Sequence, residues 1–104
     1  MSSPDELFDR TLHAIADPTR RRILRALKKT ARANSGTKSQ GMGPCLCAGE
    51  IEEQMKLSQP TISHHMAILA KAGLVEARKQ GQWRWYRRNE KAIRQVVKSL
   101  RGQL

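Results

Sequence analysis

The chain has 104 residues, a length typical of one domain with a modest core, so we expect a single domain over residues 1–104. Twenty Lys and Arg against nine Asp and Glu give a formal net charge of +11, which favours a polyanionic partner. No apolar run reaches the roughly 18 residues of a membrane span, and the polar, acidic N-terminus is unlike a signal peptide. We therefore expect a cytoplasmic protein with no membrane partner.

The basic residues are unevenly distributed. Residues 18–38 hold eight of them and no acidic residue, and residues 77–101 hold nine with Glu90 as the sole acid. Such asymmetry is typical of nucleic-acid binding, although charge alone also fits a basic surface without a specific partner.

The first half of the chain predicts three helices and a loop. Residues 5–16 have helical periodicity, with an apolar stripe formed by Leu7, Phe8, Leu12 and Ile15. Asp17 and Pro18 end this helix and begin a second, which runs to about residue 29. That helix turns Ile23, Leu24 and Leu27 inward and directs its basic residues mostly outward, namely Arg20, Arg21, Arg22, Arg25 and Lys28.

Residues 30–44 contain three glycines and little to bury, which predicts a flexible loop. This segment is either a tolerated insertion or one that orders on a phosphate backbone. A short helix is predicted over residues 48–56, with Ile51 and Met55 on its buried side.

The second half predicts a helix, a hairpin and a final helix. Ser58 is a good N-cap, and Gly73 ends the helix that follows. Its buried sector holds Ile62, Met66 and Leu69, which should pack on Ile51, Met55, Ile23 and Leu27. Residues 74–79 and 82–87 are strand candidates around Gln80 and Gly81. Residues 90–104 then form a helix with a second apolar stripe, made of Ile93, Val96, Val97 and Leu100.

This order, ααα-turn-α-ββ-α, predicts a mainly α winged helix-turn-helix fold with a small β-hairpin. In that fold the helix after the turn places its N-terminal residues against base edges in the major groove of double-stranded DNA. The base-edge candidates are Gln59, Thr61, Ser63 and His64. The remaining DNA-binding candidates are Lys71, which we expect to meet a phosphate, and four residues of the hairpin, which can lie along phosphates or enter the minor groove: Arg78, Lys79, Gln82 and Arg84.

Other conspicuous side chains on these elements favour structural roles. His65 lies about 60° from Ile62 on the helix, so we expect a hydrogen-bonded structural histidine there. Neighbouring His64 and His65 point about 100° apart, which disfavours chelation of one metal ion. Trp83 and Trp85 share one strand face, whereas Arg84 and Tyr86 share the other. We expect these aromatic residues to pack the hairpin onto the helices rather than to stack on single-stranded bases.

Four stretches together resemble the ArsR-type (arsenical-resistance repressor) family of small bacterial winged-helix repressors. They are ADPTRRRIL (16–24), LSQPTISHH (57–65), LAKAGLV (69–75) and GQWRWY (81–86). The resemblance implies a homodimeric, operator-binding transcriptional repressor of the bacterial nucleoid, in which the first and last helices form the dimer interface. It thereby assigns dimerisation to the two apolar stripes. Two recognition helices should meet half-sites about one helical turn apart in an inverted repeat.

The resemblance is weaker at the residues that bind an effector, the signal that such a repressor senses. Metalloid-sensing members carry two cysteines before the turn, and those positions correspond to Cys47 and Gly49 here, while Cys45 lies two residues too early. A second family site uses Asp and His on the last helix, and residues 89–104 contain neither. The run AGEI (48–51) resembles a branch of autoregulating repressors without a bound metal, so we expect no cofactor.

The alternative is a sensor that uses Cys45 and Cys47 to control DNA binding. Two thiolates can bind a soft metal or a metalloid if His13 or a second subunit adds a ligand. Thiol oxidation is the other possibility, and the effector stays unknown. No Ser/His/Asp arrangement, phosphate-binding glycine loop or paired acids indicate an enzyme.

Overall fold

Five helices and three strands make up the part of the chain that the computed structural model describes, residues 4–33 and 44–104. Their order is α1 (Pro4–Ala16), α2 (Pro18–Ala33), β1 (Leu46–Cys47), α3 (Ala48–Met55), α4 (Gln59–Lys71), β2 (Val75–Gln80), β3 (Trp83–Arg88) and α5 (Glu90–Gln103). The predicted order is confirmed. The strand β1 is an addition, because a strand of two residues shows no alternation that a sequence pattern could detect.

The predicted loop over residues 30–44 began too early in the sequence. Residues 30–33 continue α2, and the hydroxyl of Thr30 donates to the carbonyl of Ala26 at 3.1 Å, four residues back. Alanine and arginine at positions 31–33 are good helix formers, which explains the longer helix. Residues 34–43, most of the predicted loop, lie outside the described residues.

Asp17 forms the junction between α1 and α2. The backbone N–H of Arg20 donates to Oδ2 of Asp17 at 2.9 Å, the contact of an N-cap carboxylate. This hydrogen bond is the main cause that lowers the pKa of Asp17. Pro18 occupies the first helical position, where the missing N–H costs nothing. Both predictions for this junction are confirmed.

The core lies where α2, α3 and α4 meet. Of the side chains predicted to face inward from these three helices, Leu24 is half-buried against one apolar cluster and the other seven are buried in it: Ile23, Leu27, Ile51, Met55, Ile62, Met66 and Leu69. Burial of each contributes about 1.5–3 kcal/mol relative to exposure. One predicted outward residue was placed wrongly, since Arg20 is only 6% exposed.

Backbone geometry fixes both ends of α4. Lys56 takes a left-handed conformation (φ 57°) in the turn that precedes it. At the other end Gly73 has φ 78°, its N–H donates to the carbonyl of Ala70, and the N–H of Leu74 donates to that of Leu69, each at 3.0 Å. These two bonds form a Schellman motif, as the predicted glycine stop requires. The chain therefore leaves α4 directly into β2.

The three strands form one antiparallel sheet in the order β1-β3-β2. The hairpin aligns Val75 with Arg88 at its base and Gln80 with Trp83 at its tip. Gly81 closes the turn with φ 60°, a conformation that glycine adopts without strain. This hairpin is the predicted wing, with each strand shifted by one residue from the predicted bounds.

Candidate nucleic-acid interface

Helix α4 presents one apolar and one polar face. Opposite its buried residues, the side chains of Gln59, Ser63, His64 and Lys71 are exposed, and Thr61 is half-buried at the edge. Ser58 occupies the N-cap position, yet its hydroxyl lies 3.0 Å from the Thr61 hydroxyl and makes no capping bond to the backbone. The first backbone N–H groups of α4 therefore lie beside exposed polar side chains, at the positive end of the helix dipole.

A groove of about 660 Å³ separates the start of α4 from the wing. It brings together five of the predicted DNA-binding residues, which are Gln59, Ser63, Lys79, Gln82 and Arg84. The other four predicted residues, Thr61, His64, Lys71 and Arg78, do not line it. The groove thus joins candidates for base contact and candidates for phosphate contact that are widely separated in sequence.

The wing is strongly cationic at its tip. Lys79 of β2 is paired directly with Arg84 of β3, and both side chains are exposed. Like charges at a directly opposite cross-strand position are destabilising. An anion bound between them, such as a DNA phosphate, would relieve this repulsion.

The aromatic residues of the wing divide into buried and exposed. Tyr86 lies in the main core with residues of the helices, which confirms for Tyr86 the prediction that these aromatic residues pack the hairpin onto the helices. Trp85 is buried in a smaller cluster with Cys45 and Cys47. For Trp83 that prediction was wrong, because the side chain is 54% exposed and lines the groove. Its ring stacks on Trp85 with centroids 6.3 Å apart. Two residues on one strand face therefore differ in burial, so alternation alone does not predict which of them is buried.

Sequence reasoning also missed the contribution of α3 to the groove. Ala48, Gly49 and Glu52 also line it. Ala48 and Gly49, the first two residues of α3, are small and leave room for a ligand to approach the helix closely. This pair of small residues was the sequence signal that could have indicated a contribution of α3 to the groove. Glu52 adds one carboxylate to an otherwise basic groove.

His65 lies behind the exposed face of α4. Its Nδ1 is 3.2 Å from Nη1 of Arg20 and 4.0 Å from Oδ2 of Asp17, and its side chain is 13% exposed. The predicted hydrogen-bonded structural role is confirmed. The rings of His64 and His65 have centroids 5.7 Å apart and are tilted by 58°.

The two cysteines are not joined in a disulfide, and both are buried beside Trp85. Cys47 pairs with Trp85 across β1 and β3, and its backbone N–H donates to Oε1 of Glu50 at 3.0 Å at the start of α3. Burial raises the pKa of the Cys47 thiol, which reduces the thiolate fraction that binds metals or reacts. Within residues 4–33 and 44–104, no cluster of three or more His, Cys, Asp or Glu side chains could hold a metal ion.

The terminal helices leave apolar surface uncovered. Leu7 of α1 is 49% exposed and Val97 of α5 is 55% exposed, and α5 has no buried residue. The other members of the two predicted stripes are half-buried: Phe8, Leu12, Ile15, Ile93, Val96 and Leu100. Between α1 and α5 lies a groove of about 210 Å³ lined mainly by apolar atoms. No helix in the described ranges has the length and apolar character needed to cross a membrane.

Residues 15–78 match the family described as a helix-turn-helix domain, a span that contains α2, α3, α4 and the start of the wing. A relative from Methanocaldococcus jannaschii, described as an HTH-type transcriptional regulator, is 39% identical over 85 residues, which cover 82% of this chain and 81% of the relative. The arsenical resistance operon repressor of Staphylococcus aureus is 40% identical over 55 residues, 53% of either chain.

The fold is also found in a solved structure. The homodimeric winged helix-turn-helix DNA-binding domain of a possible ArsR-family regulator from Mycobacterium bovis has a TM-score of 0.67. The match covers 96% of this chain and 84% of that domain at 23% sequence identity, and it establishes the similarity of fold.

Proposed function

Because this chain belongs to the helix-turn-helix family of ArsR-type transcriptional regulators, we propose that it is a repressor that binds an inverted-repeat operator as a homodimer. Members of this family are DNA-binding regulators rather than enzymes. The observation that carries the proposal is the groove between α4 and the wing, where polar side chains of the helix face cations of the hairpin.

In the proposed complex, the N-terminal half of α4 enters the major groove. Gln59 suits bidentate hydrogen bonding to adenine, while Ser63 and Thr61 suit several bases. His64 is exposed one residue beyond Ser63 and can reach the same edge. Small Ala67, on the same exposed face, permits close approach of the helix to the bases.

The wing supplies contacts to the sugar-phosphate backbone. Lys79 and Arg84 are close enough in register to bind one phosphate or two adjacent ones, and Gln82 at the tip adds a neutral donor. Arg78 on β2 and Lys71 at the end of α4 lie outside the groove and would contact more distant phosphates. These contacts provide affinity and salt dependence, whereas α4 provides sequence choice.

The exposed apolar faces of α1 and α5 support a homodimer. Burying Leu7 and Val97 against a second copy would remove the two most exposed apolar side chains of these stripes from water. In the proposed dimer, a twofold axis through this surface would bring two recognition helices to successive major grooves, which lie about 34–36 Å apart. An operator with that symmetry is an inverted repeat.

Selection of bound duplexes from a randomised DNA pool tests the proposal. We expect a palindromic consensus whose half-site centres lie about 10 base pairs apart. The variant Gln59→Ala, selected in parallel, should lose preference at one position of each half-site while keeping the spacing. A pool that gains no consensus, or a consensus without twofold symmetry, would contradict a sequence-specific dimer.

Control of DNA binding by Cys45 and Cys47 remains the alternative proposal. The short spacing of the two thiols supports it, whereas their burial and the raised pKa of Cys47 count against it. Native mass spectrometry of the purified protein, with and without added Zn²⁺ or arsenite, distinguishes the two: a bound ion supports the sensor.

A further inference from the structure

Arg20 connects three helices through one buried guanidinium group. Its Nε donates to the carbonyl of Ala14 at 2.7 Å and its Nη2 donates to that of His13 at 3.1 Å, both in the last turn of α1. Its Nη1 lies 3.2 Å from Nδ1 of His65 on α4. One side chain of α2 therefore ties the end of α1 to the middle of the recognition helix.

Burial of an arginine is costly unless its donors are satisfied, and this one is only 6% exposed. The two carbonyl acceptors lie at the negative end of the α1 dipole, which favours the positive charge. The third acceptor is the imidazole of His65. Since each of these bonds involves a charged donor, together they hold α4 more firmly than apolar contacts alone would.

The contact with Arg20 determines the protonation state of His65. A guanidinium group can only donate, so Nδ1 of His65 has to accept and therefore carries no proton. Burial lowers the pKa of His65 and the positive charges of Arg20 and His64 add to this effect, while Asp17 opposes it. These are the charged groups that face the ring from α2, from the α1–α2 junction and from α4 itself.

We propose that Arg20 and neutral His65 are positioning residues, which set the placement of the recognition helix on DNA and release it when His65 takes up a proton. The inference rests on the proposed function. A proton on Nδ1 would turn the acceptor into a donor that faces Arg20, and the ring would gain more by moving toward Asp17, 4.0 Å away. His65 lies between the DNA-facing His64 and the core residue Met66, so this movement displaces the helix.

The pH dependence has a definite direction. Because His65 has a lower pKa in the folded chain than in the unfolded chain, the unfolded chain binds the proton first. The stabilisation is therefore complete above the ordinary histidine pKa of about 6.5, and it is lost as the pH falls below that value through the folded-state pKa.

The first experiment measures affinity for the duplex selected from the randomised pool, between about pH 7.5 and about pH 5.5. His65→Asn keeps an acceptor near the position of Nδ1 and cannot titrate. We expect the ratio of wild-type to His65→Asn affinity to fall by about three- to tenfold on acidification. His13→Asn removes an exposed histidine whose backbone alone contacts Arg20, so it should keep the wild-type profile. Parallel profiles for wild type and His65→Asn would overturn the proposal.

The second experiment needs no DNA, so it separates failure of this inference from failure of the proposed function. Amide hydrogen exchange is compared between wild type and Arg20→Lys, which keeps the charge and removes the fork of donors. We expect exchange in α4 to accelerate by about tenfold, the effect of one hydrogen bond to a charged group. Amides of β2 and β3 should keep their rates, as should all amides in the control Arg22→Lys. Equal acceleration in α4 and in the hairpin, or no acceleration, would show that Arg20 does not position the helix.

Discussion

Lys79 and Arg84 lie directly opposite each other in the β2–β3 ladder, so the wing holds two like charges at one cross-strand position. Such a pair costs the free protein stability and becomes favourable when an anion lies between the two side chains. Two residues that destabilise the folded protein yet line a groove are better explained by a role in binding than by a role in the fold.

Replacement of Arg84 should therefore have opposite effects on folding and on binding. Arg84→Gln removes the repulsion, so we expect the free energy of unfolding to rise by about 0.2–1 kcal/mol in urea denaturation. DNA affinity should fall, and the slope of log affinity against log salt should decrease by about one unit because the variant neutralises one phosphate fewer. Arg94→Gln, at an exposed position of α5, is the control and should leave the slope unchanged. A weaker affinity with an unchanged slope would argue that Arg84 does not bind a phosphate.

Removal of polar groups from α4 should affect sequence choice rather than general affinity. In the double variant Ser63→Ala, His64→Ala, both changes lie on the exposed face and leave the core residues Ile62 and Met66 in place. We expect affinity for the selected duplex to fall by about 1–3 kcal/mol for each side chain that reads a base. Affinity for a random duplex of equal length should change little, as gel-shift titrations can show. An equal decrease on both duplexes would mean that α4 does not read bases.

Periodicity predicts the recognition helix well, because both of its faces are determined locally. Ile62, Met66 and Leu69 repeat at helical spacing, and Gly73 marks the end with a conformation that few other residues adopt. Residues that follow such a pattern can be assigned to a side of the helix without reference to the rest of the chain. The wing followed from alternation and a glycine turn in the same way.

The predictions that were wrong or missing concern residues whose environment is created by distant parts of the chain. Arg20 was expected to face outward with its basic neighbours, but three acceptors from α1 and α4 bury it. Strand β1 exists because Leu46 and Cys47 pair with β3, some forty residues away in the sequence. Trp83 shares a strand face with buried Trp85 yet is 54% exposed. The periodicity of the neighbouring sequence predicts none of these three features.

The glycine after α4 should be needed for its backbone conformation rather than for space. Nothing lies within 4 Å of a Cβ placed at Gly73, but its φ of 78° is strained for any L side chain. Gly73→Ala should lower the free energy of unfolding by about 1–2 kcal/mol in urea denaturation. Gly102→Ala, also in open space but at an ordinary helical φ, should be neutral or stabilising by up to about 1 kcal/mol. Equal effects of the two variants would contradict a role for the left-handed conformation.

A charge in the exposed stripe of α5 should prevent dimerisation. Val97→Glu places a carboxylate in the surface that we assign to the dimer interface, where it would be buried without a partner. We expect sedimentation to show a monomer, and affinity for the inverted repeat to fall by about a hundredfold or more because a monomer binds a single half-site. Lys98→Glu, at the exposed neighbouring position, reverses a charge without altering the stripe and should remain dimeric. A dimeric Val97→Glu protein would place the interface elsewhere.

The two thiols should react slowly in the folded protein, because burial beside Trp85 hinders access and the raised pKa of Cys47 keeps that thiol protonated. Labelling with a thiol-specific reagent at neutral pH should be slower by at least about tenfold than in urea. The double variant Cys45→Ser, Cys47→Ser should bind the selected duplex with wild-type affinity in the presence of arsenite, Zn²⁺ or peroxide. Wild-type protein serves as the reference in each condition. If these agents release wild-type protein from DNA but not the double variant, the cysteines are the sensor and their buried state in this structure is one of two conformations.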